Sequence, residues 1–293
     1  MNKIAFFCLL FVATSALGIY VGASFIPQVG DINPMTGGDV DDPFGAAYLL
    51  LVIAIGTIVL LLVLKYYKGN ILYRLFEVYI IFVGTLVVWD TLFFDFFNFT
   101  GLESESAYLL LTFGCALLCV LARFVWRNFF VKNITLAIAI AGAGGVLGAM
   151  VGIVPALILA LVLTAYDYIS VFKTKHMVGL ADGAIENDLP VMFQTSSKGI
   201  KTGARKKKSS GKGGDIIALG TGDIAIPLIL FVGVLRSTGS FGLVITTVIG
   251  ALLGLAFTIY YVTNVKRIAL PALPPIIGGS VVGLGIGFLL FSV

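Results

Sequence analysis

The feature that most constrains this chain is a succession of long apolar runs, each closed off by charges or turn residues, filling it almost from end to end. About 20 apolar residues coiled as an α-helix match the hydrocarbon thickness of a bilayer. Such runs fall near 4–25, 46–64, 71–92, 107–125, 134–153, 155–172, 216–235, 241–263 and 268–292. With 59% hydrophobic residues, 12% charged residues and a mean hydropathy of +1.07, the composition excludes a soluble enzyme. The 35 glycines lie mostly inside apolar runs, which excludes a disordered or collagen-like chain as well. The pattern predicts an all-α polytopic membrane protein with nine transmembrane helices. Only Pro155 and the glycines before it mark the division between the fifth and sixth spans. Residues 1–25, with Lys3 ahead of an apolar stretch, also have the outline of a cleaved signal peptide, but their length favours a retained span.

Charge gives an independent test, because Lys and Arg collect in the loops that stay inside. Placing the N-terminus inside puts Lys3, Lys65, Lys68, Arg74, Arg123, Arg127, Lys132, the basic residues from Lys173 to Lys212, Lys266 and Arg267 on that side. Only Arg236 falls outside. The opposite loops carry Asp31, Asp39, Asp41, Asp42, Asp90, Asp95, Glu103 and Glu105 without a basic neighbour. The C-terminus is then outside. Three stretches result: residues 1–172 with helices one to six, a basic cytoplasmic loop over 173–215, and residues 216–293 with helices seven to nine. An integral protein of the plasma membrane is the expected setting, and nothing in the pattern calls for a nucleic-acid partner.

Inside the loop, Met177, Leu180, Ala181, Ala184 and Ile185 have the spacing of a short interfacial amphipathic helix. After Pro190, the residues from Val191 to Thr195 have the character of a short strand; an edge strand over 189–194 could pair with an extended peptide. The run from Arg205 to Lys208 is able to hold anionic lipid headgroups, although a positive-inside anchor accounts for it more simply. Small residues recur at every fourth position as Gly144, Gly148 and Gly152, as Gly250 and Gly254, and as Gly279, Gly283 and Gly287, which predicts close helix contacts. Asn98, Phe99 and Thr100 spell a glycosylation sequon, a tripeptide common by chance.

The chemistry has few parts to draw on. Cys8, Cys115 and Cys119 lie in apolar segments without metal-binding or disulfide spacing, and His176 is the only histidine. Neither a metal nor a cofactor is expected. Each ionisable group within the hydrocarbon costs about 3 kcal/mol on insertion scales and asks for a reason. Glu77 has one in Arg74, a turn away. Asp90 and Asp95 sit near the outer end, within reach of water. Asp167 and Asp223 remain. Asp167 is about six residues from Lys173 and so ~9 Å from the inner end of its span; Asp223 is eight residues past Asp215, ~12 Å from the same side. Consecutive antiparallel helices therefore bring two carboxyls to nearly equal depth.

Apposed carboxyls suit hydrolysis, because two like charges a few ångströms apart share one proton. One takes a proton from a water and the other donates to the carbonyl oxygen. Gly220 and Gly222, just before Asp223, remove side chains where a substrate backbone would approach. Two unrelated buried acids, each bonded to a neighbour such as Tyr166, are the bland alternative. A proton relay in a cation channel or proton-coupled transporter is another. Prolines 271, 274 and 275 at the start of the ninth span leave backbone groups without helical partners, which membrane depth tolerates only against protein or a wet cavity.

Tyr166-Asp167 in the sixth span, Gly220-Thr221-Gly222-Asp223 in the seventh and Pro271-Ala272-Leu273 in the ninth resemble the YD, GxGD and PAL motifs of the presenilin and signal peptide peptidase family of intramembrane aspartyl proteases. The resemblance covers the whole nine-span layout, including the long loop between the aspartates. It implies that Asp167 and Asp223 form the catalytic pair, that Pro271, Ala272 and Leu273 shape the site and help bind substrate, and that the substrates are transmembrane helices of other proteins. The charge bias and Leu273-Pro274 are similar to the presenilin branch, and the lack of a large outside domain to its prokaryotic members. The oligomeric state is left open.

Overall fold

The computed structural model describes residues 3–30, 33–34, 36–66, 70–101, 104–126, 128–174, 192–195, 217–264 and 271–291. The amphipathic stretch expected at 177–185 and the basic run Arg205–Lys208 lie outside the described residues. In chain order the elements are α1 (Lys3–Val29), α2 (Phe44–Tyr66), α3 (Asn70–Thr100), α4 (Glu105–Val125), α5 (Phe129–Ala149), α6 (Ile153–Ile169) ending in a π-helical turn (Ser170–Thr174), β1 (Met192–Thr195), β2 (Ile217–Gly220), α7 (Gly222–Thr238), α8 (Phe241–Asn264) and α9 (Leu273–Phe291). Seven of these helices, α1, α3, α4, α5, α6 with its π turn, α8 and α9, are long and apolar enough to cross a membrane. α2 contributes a shorter apolar segment, Phe44–Gly56, and α7 has 17 residues.

Several boundaries differ from those read off the sequence. α3 runs on to Thr100 instead of stopping near residue 92. Its two acids do not end it because each has a phenol to bond: Tyr108 of α4 donates to Asp90, and Tyr20 of α1 donates to Asp95. Glu77 is not paired with Arg74; Nε of the buried Arg123 lies 2.5 Å from its Oε1 and ties α3 to α4. The same guanidinium donates from Nη1 to the Lys132 carbonyl of α5 at 3.0 Å. The turn between α5 and α6 is Met150–Gly152, one turn of helix earlier than the apolar run suggests. The fold is also not purely helical. Ile217–Gly220, assigned above to the seventh span, is a strand paired antiparallel with β1. Its Leu219 sits opposite Phe193, and both side chains are buried in the main core.

α7 is the hub. Ile224 and every residue from Pro227 to Leu235 are buried, since α1, α5, α6, α8 and α9 all pack around it. Lipid is as apolar as leucine, so close fit rather than water exclusion holds such helices together. Leu228 and Val232, one turn apart, fill holes made by glycines with the same spacing on two neighbours. Gly18 and Gly22 of α1 face them from one side, and Gly144 and Gly148 of α5 from the other. A Cβ at Gly144 would stand 2.7 Å from Leu228 Cδ2, and one at Gly148 would stand 2.6 Å from Val232 Cβ and 3.0 Å from the Ile229 carbonyl oxygen. α8 and α9 meet even more closely, with Gly250 and Gly279 against each other's carbonyls and Gly254 against that of Pro275.

The end of α7 far from Asp223 is pinned by polar contacts. Gly239, at φ 63°, closes the helix and donates to the Leu235 carbonyl at 2.8 Å. Arg236 donates to the carbonyls of Ala149 and Gly30, at the C-terminal ends of α5 and α1. A cation there meets the negative ends of three helix dipoles, which explains the one basic residue that breaks the charge pattern. Ser237 Oγ accepts from the Ile153 amide at 2.8 Å and donates to Asp41 Oδ1 at 3.0 Å, and that carboxylate also accepts from the Val154 amide at 3.3 Å. α6 starts at Gly152, which has no side chain to cap it, so the cap comes from α7 and the preceding loop.

Gly148→Ala should lower the melting temperature in detergent, by the equivalent of about 1–3 kcal/mol of overpacking. Gly114→Ala, whose Cβ would meet open space on α4, should leave it unchanged or raise it. Equal melting temperatures would remove the glycine holes as the basis of the packing.

Candidate active site

Asp167 lies in the last turn of α6, whose end widens at once into the π turn, and it is 9% exposed. Asp223 lies in the first turn of α7. Asp223 is not eight helical residues from the inner end, as its distance from Asp215 suggests, because Ile217–Gly220 is a strand. Gly220 and Gly222 flank Thr221 in a run of poor helix formers, so the segment before Asp223 pairs as a strand and the helix begins only at Gly222. The two acids nevertheless come within electrostatic range of each other. They flank one small apolar cluster, in which Ala160 and Leu163 of α6, Ile226 of α7, and Leu273 and Ile277 of α9 pack together. Leu163 is one turn before Asp167 and Ile226 one turn after Asp223, so the cluster sets how closely their helices approach.

Each carboxylate accepts one backbone amide. Gly220 donates to Asp223 Oδ2 at 3.1 Å, so that the acid reaches back over the start of its own helix. Leu273 donates to Asp167 Oδ2 at 3.4 Å, from a different helix. The second bond follows from the prolines. The first four amides of a helix have no internal partner, and in α9 two of those four positions are Pro274 and Pro275, which carry no N–H. Leu273 and Ile276 are left with donors to place, and Asp167 takes one. Pro274 and Pro275 therefore sit in a regular first turn; only Pro271 and Ala272 are irregular among the described residues of this segment.

The candidate residues divide accordingly. Gly220 bonds Asp223 and Leu273 bonds Asp167, while Pro271 is buried two residues before Leu273 and Ala272 packs against the main core. A Cβ at Gly220 would lie 3.1 Å from Asp223 Oδ2, a tight contact that the carboxylate would have to yield to; at Gly222 the nearest atom would be Ile226 Cδ1 at 3.8 Å, an ordinary contact. Tyr166 is half-exposed on the flank of α6, and the bonding partner of Asp167 is Leu273 rather than this phenol. The pairing of the Leu273 amide, and the roles of Leu163 and Ile226, were not foreseen. The prolines carried the signal for the first. Among the described residues no group of His, Cys, Asp and Glu is placed to hold a metal ion.

Two acids flanking one small apolar cluster oppose folding. Asp223→Asn and Asp167→Asn should each raise the melting temperature above that of the wild type, because an amide keeps the backbone contact without the like charge. A lower value in both would mean that the carboxylates serve the fold.

The model of the signal-peptide peptidase and presenilin aspartyl protease family matches residues 8–293. No curated protein matches the sequence. Two solved structures share the fold. The "Structure of a presenilin family intramembrane aspartate protease in P2 space group" has a TM-score of 0.69 and 22% identity, covering 99% of this chain and 99% of that one. That of "a presenilin family intramembrane aspartate protease in C222 space group" has a TM-score of 0.63 and 22% identity, covering 97% of this chain and 96% of that one. The family match spans nearly the whole chain, over a bundle of apolar helices. The chain accordingly belongs to the signal-peptide peptidase and presenilin family of intramembrane aspartic endopeptidases.

Proposed function

We propose that this protein hydrolyses peptide bonds in or near the transmembrane helices of other membrane proteins, with Asp167 and Asp223 as a general acid–base pair. The observation that carries this reading is the approach of the two carboxyls from antiparallel α6 and α7 around one apolar cluster, with the Leu273 amide bound to one of them. One ionised carboxylate removes a proton from a water whose oxygen attacks the carbonyl carbon, while its protonated partner donates to the carbonyl oxygen. As the resulting diol collapses, the second carboxylate takes back the proton of one hydroxyl, the C–N bond breaks, and the first acid gives its proton to the departing nitrogen. No metal, organic cofactor or covalent intermediate is needed.

The substrate arrives as a helix with its amides satisfied internally, so it must unwind locally and find new partners for the freed groups. Pro271 and Ala272 offer irregular backbone beside Asp167, and the exposed Tyr166 lies on the flank that an arriving helix would meet. β1 and β2 have only each other as strand partners among the described residues, which leaves edges to which an extended peptide could add. In the full arrangement the chain crosses the plasma membrane nine times, with its N-terminus and the 173–215 loop in the cytoplasm and its C-terminus outside. α2, with 23 residues, and α7, with 17, are then the remaining two spans. The Arg205–Lys208 run serves as a positive-inside anchor and is able to hold anionic lipid headgroups.

Purified protein with a panel of single-span substrates tests this directly. Asp167→Asn and Asp223→Asn should each abolish cleavage while remaining folded, and the wild-type rate should follow a bell-shaped pH profile that belongs to the pair. Substantial activity in either variant would refute the assignment. Pro271→Ala adds an N–H and improves helix propensity at the entrance of α9, and should reduce turnover without lowering the melting temperature. Wild-type turnover, or a loss matched by unfolding, would make Pro271 only a residue that starts a helix.

A further inference from the structure

Threonines in these helices have a common habit. Thr14, Thr85, Thr91, Thr135, Thr247 and Thr258 each donate the hydroxyl to the carbonyl four residues back, which hides a polar group in apolar surroundings. Thr164 departs from it. Its Oγ1 is buried and has no hydrogen bond among the described residues. A buried hydroxyl without a partner is costly, and its retention asks for a use. Thr112 shares the condition but lies on α4, which carries none of the candidate site.

Thr164 lies among the site residues. At 100° per residue, Ala160, Thr164 and Asp167 fall within an arc of about 60° on α6. Ala160 packs against Leu273 and Ile277, and Asp167 accepts the Leu273 amide, so the residues before and after Thr164 on this stripe both engage Leu273. The unused hydroxyl is therefore on the stripe of α6 that faces the start of α9, one turn from Asp167.

We propose that Thr164 is a substrate-binding hydroxyl, hydrogen-bonding the main chain of the unwound substrate segment as it lies between α6 and the start of α9. This rests on the protease reading above. An unwound helix presents carbonyls and amides that have lost their partners, and a hydroxyl can donate to the one or accept from the other. The contact reads backbone, so it holds one extended peptide as well as another and leaves side-chain choice to other groups.

The test compares purified wild type, Thr164→Val, Thr164→Ser and Asp223→Asn on one single-span peptide substrate. Valine keeps the shape and removes the hydroxyl, so Thr164→Val should lower kcat/KM about tenfold, mainly through a higher KM, with an unchanged or higher melting temperature. Thr164→Ser should recover most of the loss. Wild-type kcat/KM in Thr164→Val, a loss that follows the melting temperature, or a serine variant no better than valine would each overturn the proposal. If the wild type cleaves and Asp223→Asn does not while Thr164→Val matches the wild type, only the role of Thr164 is overturned. A folded wild type that cleaves no member of the substrate panel overturns the protease reading, and this role with it.

Discussion

The arrangement depends on two side chains, Leu228 and Val232, seated in glycine holes on both α1 and α5. In a bilayer an apolar helix has no aversion to its surroundings, so what fixes one helix among others is the depth to which side chains interlock. Four glycines give α7 contact on two faces at the spacing of one helical turn. That fixes its height and rotation together, and with them the direction in which Asp223 leaves its first turn. α9 is held against α8 by a comparable glycine contact, which places the Leu273 amide. The site is thus built on backbone approach, with very few polar bonds of its own.

Much of this was legible because a bilayer imposes strong rules. Apolar length located some helices to within a turn, α4 and α8 among them, and the rarity of buried charge singled out Asp167 and Asp223. What failed was local. The apolar run through Ile217, Ala218 and Leu219 reads equally well as helix or strand, and only the distant Met192–Thr195 makes it a strand. Arg74 and Glu77 satisfy a helical spacing rule, yet Arg123 offers a buried, better-oriented partner from another helix. Spacing within one helix cannot show who stands across from it. The same blindness hid the Leu273 amide, a backbone group with no letter of its own in the sequence.

The carboxyls and the tethers occupy opposite ends of α6 and α7. At one end, Asp41, Ser237 and the first amides of α6 share hydrogen bonds, and Arg236 joins α7 to α1 and α5. At the other, Asp167 and Asp223 each hold one amide, one of them at 3.4 Å. α6 also leaves regular α-helical geometry immediately after Asp167, where a π turn loosens the hydrogen-bond ladder. The helices are firm where they are joined and least constrained beside the acids.

Arg236 also bears on how such a chain is assembled in its membrane. A guanidinium at the end of α7 far from Asp223 is costly to leave among apolar helices without acceptors. Two of its acceptors, the Ala149 and Gly30 carbonyls, belong to helices made long before it. Until α1 and α5 stand side by side, those two carbonyls cannot serve it together. The last turn of α7 thus makes both bonds only where the two earlier helices have met, so the contact that fastens α7 also registers the pairing of α1 with α5.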